Sequence, residues 1–227
     1  MALNEFVKEL NGERIEGEII KTLMVSLITS FLTLFLIYYI KLRDMNNFIS
    51  DYGFFLFFAV LSYALIMPSI RQVRAFKQFP CMTGMMIGMT IGMVSGFLAG
   101  FYIGSTNGMF WGSVFGMSVG IFLGYFNGRC CGIMGIMEGL MAGFMGGLMG
   151  AMTAIMMYND NLKLAGVIIF VICSVILLGL NYMLYKETKF EERIHYEDQF
   201  ITIVLSFLLT VLSIWFMVFG PKGVLFQ

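Results

Sequence analysis

The chain has 227 residues, 59% of them hydrophobic and only 12% charged, with a formal net charge of zero. A soluble domain carries about 25% charged residues, so too few polar groups are present to cover a water-facing surface, and lipid must be part of the solvent. The even charge balance leaves no basic footprint of the kind that nucleic-acid binding requires, and nucleic acid is excluded as a partner.

Residues 1–19 open the chain with an amphipathic pattern. Leu3, Phe6, Val7 and Leu10 fall at helical spacing, with Glu5, Lys8, Glu9 and Glu13 around them. An N-terminal amphipathic helix is expected, on the membrane surface or against the bundle. The segment lacks the basic leader, apolar core and small-residue cleavage site of a signal peptide.

Seven segments then approach the roughly 20 apolar residues a membrane-spanning helix needs. They cover 20–41, 53–70, 81–104, 108–126, 131–157, 164–185 and 199–219, followed by a tail at 220–227. They are too long and too evenly apolar for barrel strands, and in hydrocarbon the backbone must satisfy itself, so they are helices. Pro68 with Arg71, Arg74 and Lys77 is expected to end the second span. Asn107-Gly108 and Asn127-Gly128 read as turns. The expected fold class is an all-α integral membrane protein of about seven transmembrane helices, with a glycine-zipper, methionine-rich central three-helix block.

With seven spans, ten Lys and Arg residues fall on the side of the N-terminus (Lys8, Arg14, Lys21, Arg71, Arg74, Lys77, Arg129, Lys186, Lys189, Arg193). Four fall on the other (Lys41, Arg43, Lys163, Lys222). The positive-inside rule then puts the N-terminus in the cytoplasm and the C-terminus outside a cell membrane.

The third to fifth spans are unusual. Glycine recurs at every fourth position from Gly84 to Gly132, including Gly88, Gly92 and Gly96, and the repeat restarts as Gly135, Gly139, Gly143 and Gly147. Small residues at this spacing let helix backbones approach closely, which drives association where lipid removes the hydrophobic force. Close packing against another helix is expected of these glycines.

Methionine is the second anomaly, at 21 residues. In the fifth span Met134, Met137, Met141, Met145, Met149, Met152 and Met156 fall within an arc of about 120°, opposite the glycines. In the third, Met82, Met85, Met86, Met89 and Met93 form another stripe. Thioethers are soft ligands suited to Cu(I) and Ag(I). Methionine also fills irregular gaps beside glycines, and both readings stand. Cys81, Cys130 and Cys131 fall at the same end as Met82 and Met134, where thiolate and thioether would make a soft-metal mouth. Cys173 and Asn181 read as packing within the sixth span, and His195, after Glu191 and Glu192, as part of a solvated connector.

Glu138 is the only acid between 78 and 158. It lies on the methionine face of the fifth span, roughly 10 Å from the helix start. A carboxyl in a bilayer is costly unless paired or neutral, so it is expected to face inward, near the methionines of the third span, as a proton or cation relay.

The M-x-x-x-M spacing of Met82/Met86, Met85/Met89/Met93 and Met137/Met141/Met145/Met149 resembles the motif of the eukaryotic copper-uptake family. That family is a three-helix trimer with one such motif. This chain has more spans and many glycines, so neither fold nor role carries over. No nucleophile–base pair, phosphate loop or zinc spacing occurs, and an enzyme is not expected. Two functions remain: a carrier or channel for a soft monovalent metal ion such as Cu(I), and a non-catalytic glycine-zipper protein that assembles as a homo-oligomer or with another membrane subunit.

Overall fold

The computed structural model describes residues 17–39, 52–75, 80–129, 132–188 and 199–223. The expected helix at 1–19 therefore lies outside the described residues, apart from 17–19, which begin the first span. Seven helices follow in order: α1 (Gly17–Ile37), α2 (Gly53–Arg74), α3 (Cys81–Asn107), α4 (Met109–Gly128), α5 (Gly132–Met156), α6 (Leu162–Thr188) and α7 (Gln199–Phe219). Each is long and apolar enough to cross a membrane. Among the described residues the protein is an all-helical, multi-pass membrane protein, and its third to fifth helices form the expected three-helix block.

Two boundaries differ from expectation. Pro68 does not end α2, which continues through it to Arg74. A proline is tolerated inside a membrane helix because neighbouring helices help satisfy the freed backbone groups. Asn127-Gly128 is not a turn either; α4 runs through both residues, which are buried. Asn127 Nδ2 donates to the Leu123 carbonyl at 2.8 Å, and Gly128 is needed for packing.

Helices α3, α4 and α5 pack on one another through glycine backbones. Gly88, Gly128 and Gly135 meet in one layer, then Gly92, Gly124 and Gly139, then Gly96, Gly120 and Gly143, then Gly100, Gly116 and Gly147. A fifth layer joins Gly104 to Gly112 and Ala151. The order of the layers makes α3 and α5 parallel, with α4 antiparallel to both and packed on each. A Cβ atom on Gly88, Gly92 or Gly96 would stand 3.0, 2.9 or 2.9 Å from the carbonyl oxygen of Gly135, Gly139 or Gly143. No side chain fits such a gap. The same four-residue rhythm supplies the turns. Gly108, at φ 102°, links α3 to α4, and Gly132, at φ 70°, opens α5 where a Cβ would meet nothing within 4 Å among the described residues. Both are left-handed conformations that glycine adopts without steric cost.

The other helices associate differently. Along α1 and α7, Ser30 and Ser206 hydroxyls lie 2.7 Å apart and Thr33 and Thr210 3.2 Å apart. Ser26 donates to the Ala64 carbonyl of α2 at 3.5 Å. Ser213 donates to Tyr63 Oη at 2.8 Å, and Ser62 and Tyr102 hydroxyls lie 3.0 Å apart. Hydroxyl bonds of this kind hold membrane helices together at about 0.6 kcal/mol each. Helix α2 is the keel, packing against α1, α3, α6 and α7, with Phe58 set 5.5 Å from Phe170 of α6. Helix α5 packs on α3 and α4 and leaves its far side open.

Candidate functional site on the methionine faces

The glycine layers decide where the methionines point. With its glycine face turned to α3 and α4, α5 presents its opposite face outward. Met134, Met137, Met141, Met145, Met149, Met152 and Met156 are all exposed there. On α3, Met82, Met86, Met89 and Met93 are exposed as well. The α5 stripe therefore lies on the outside of the chain.

The remaining outward faces have another composition. Helix α6 exposes Leu164, Val167, Ile168, Val171, Ile172 and Val175; α1 exposes Ile28, Leu32 and Phe35; α7 exposes Val204, Phe207 and Leu208. Branched and aromatic side chains dominate these faces, with Met24 the exposed methionine of α1. The thioether-rich surface of α5 is set apart from them, and it also carries a carboxyl.

Glu138 is exposed, which corrects the expectation that it faces inward. The cause is the packing of α5 on α3. Gly146 and Gly150 of α5 abut the backbone at Met93 and Phe97 of α3. Ala142 and Glu138 lie one and two steps earlier in the same four-residue row, level with Met89 and Met85. Between backbones that close only glycine and alanine fit, and a carboxylate is turned out to the rim. Glu138 has no hydrogen-bond or ion-pair partner among the described residues. Arg129 does not tie it down; its guanidinium bonds Tyr125 Oη at 2.8 Å and stacks over that ring at 4.7 Å.

The methionines of α3 have company. Met86, Met89 and Met93 line a cleft of about 510 Å³ whose other wall is α6, with Ile169, Ile172, Cys173 and Ile176. Cys173, read from sequence as packing, is a free, buried thiol in that wall. No sequence signal could have found it, because only the packing of α6 against α3 brings it beside the stripe. Cys81 opens α3; Cys130, Cys131 and His195 lie outside the described residues, so the soft-metal mouth has no described geometry.

At the opposite end of the bundle from Arg71, Arg74 and Arg129, a basin of about 660 Å³ is lined by Tyr52, Thr106, Asp160, Lys163 and Lys222, among others. Beneath it Asn107 Nδ2 donates to the Phe216 carbonyl at 2.7 Å, and the Gly223 N–H donates to the Asn107 carbonyl at 2.8 Å. These bonds fasten the end of α7 to the α3–α4 turn.

Comparison of the chain with protein-family models, curated proteins and solved structures gave no match.

Proposed function

We propose that the chain is a non-catalytic membrane assembly protein, in which the glycine-packed block presents the methionine face of α5 to the same face of a second copy. One observation carries this reading: α5 alone turns outward a stripe of seven methionines with a carboxyl that has no partner among the described residues, while α1, α6 and α7 turn out mainly branched and aromatic side chains. Flexible, polarizable methionine adapts to a protein surface. A carboxyl facing lipid is costly, and the cost falls when a cation meets it. A two-fold axis along the membrane normal preserves depth. Arg129 is next to Gly128, which layers with Gly135, so Glu138 lies only about 6 Å deeper. Arg129 of a second copy spans that difference.

The same reading puts the N-terminus in the cytoplasm and the C-terminus outside, on ten basic residues against four. A carrier for Cu(I) or Ag(I) is the second reading. It draws on the α3 methionines that line the cleft, and its α5 ladder would be walled only where two copies meet.

Disulfide cross-linking in membranes tests the assembly. Met145→Cys is expected to give a cross-linked dimer, and Val175→Cys on the branched face of α6 is not. Monomer from both, or equal dimer from both, overturns the reading.

A further inference from the structure

The cleft between α3 and α6 holds four sulfur-bearing side chains and almost nothing else that can coordinate. Met86, Met89 and Met93 recur at steps of three and four, one face of a helix over about 10 Å. Cys173 stands in the facing wall, 8% exposed. The hydroxyl in the lining is that of Thr90, which donates to the Met86 carbonyl of its own helix. Hard cations require oxygen ligands, and this lining offers no carboxylate. Thioethers with a thiolate suit soft d¹⁰ ions.

We infer that this cleft is a binding site for a soft monovalent cation, Cu(I) or Ag(I), with Cys173 as the anionic ligand and Met86, Met89 and Met93 as thioether ligands. Charge favours the monovalent ion. Binding deprotonates the thiol, Cys–SH + M⁺ → Cys–S–M + H⁺, with the proton released to water and no change of oxidation state. The product is neutral, so no net charge is left among apolar walls, where an unpaired charge costs several kcal/mol. A divalent ion on the same ligands would leave a positive charge there. The long, flexible methionine side chains let sulfurs two turns apart converge on one ion. The site lies within one chain and is independent of the assembly through α5.

Ag(I) and anaerobic Cu(I) titration of the purified full chain against a competing chelator tests this, with Cys81, Cys130 and Cys131 all replaced by Ser to remove the other thiols. That variant is expected to bind one ion per chain with an all-sulfur first shell in X-ray absorption. Adding Cys173→Ser should weaken binding by more than the 10–100-fold that loss of an outer-shell contact typically costs. Met89→Leu with Met93→Leu should lower the sulfur count while leaving the thiolate–metal absorption band in place. Metal-free thermal unfolding of each variant checks that the bundle still forms; if Cys173→Ser fails to fold, Cys173→Ala serves instead. Unchanged affinity without Cys173, oxygen or nitrogen in the first shell, or a cleft that keeps a co-purifying acyl chain and takes no Ag(I) would each overturn the site.

Discussion

Gly92 of α3 and Gly139 of α5 are so close that a Cβ on Gly92 would stand 2.9 Å from the Gly139 carbonyl oxygen. Contacts of this kind recur through five layers, and they separate the glycines of this protein into those that cannot be replaced and those that can.

Gly143 and Gly179 are the clearest contrast. A Cβ on Gly143 would fall on the backbone of Gly120 and Ile121, whereas one on Gly179 of α6 would meet nothing within 4 Å. Gly143→Ala is expected to destabilise by at least the roughly 1–3 kcal/mol of an overpacked core. Gly179→Ala should be neutral or stabilise by about 0.5–1 kcal/mol, the cost of glycine inside a helix. Thermal unfolding in detergent reads both; equal shifts would refute the layered packing.

Glu138 and Arg129 are expected to act as one unit in self-association. Glu138→Gln and Arg129→Gln should each reduce the dimer fraction in detergent, and the double variant should be no worse than either alone. Additive losses in that cycle would mean the two residues do not meet across the pair.

The hydroxyl seam should contribute modestly. Ser30→Ala and Ser206→Ala, whose side chains touch at 2.7 Å, are expected to couple by about 0.6 kcal/mol. A coupling several times larger would mean that α1 depends on this seam for its place.

Asn107 is fully buried, and its side chain holds the Phe216 carbonyl. Asn107→Ala removes one of two donors to that carbonyl, which keeps the Gly220 N–H at 3.0 Å, and is expected to cost about 0.5–1.5 kcal/mol, the net worth of one hydrogen bond. It should also raise protease access at residues 220–223. Protection unchanged from the native chain would show that α7 is held by other contacts.

Much of the architecture was legible from residue spacing. The opposition of Met141 and Gly143 on α5 follows from 100° per residue, and the seven spans follow from length and apolarity. What spacing could not supply was rotation and register between helices. The same Asn-Gly pair is a turn at 107–108, where Gly108 takes a φ of 102°, and still helical at 127–128, where Gly128 packs on the backbone of Gly135. Glu138 shares an arc with methionines, but whether that arc faces in or out depends on which side of α5 abuts α3. Cys173 was unremarkable in sequence because its neighbours Met89 and Met93 lie some 80 residues earlier.

The glycine layers also settle what the centre of the block can transmit. With three backbones in van der Waals contact at every step from Gly88 to Gly104, the axis between α3, α4 and α5 has no lumen. An ion or small solute crossing this protein has to travel along a seam between the block and its neighbours, or between two copies. Point changes that alter permeation should therefore map to side chains on the outer faces of α3 and α5, and the stacked glycines should register only as changes in stability.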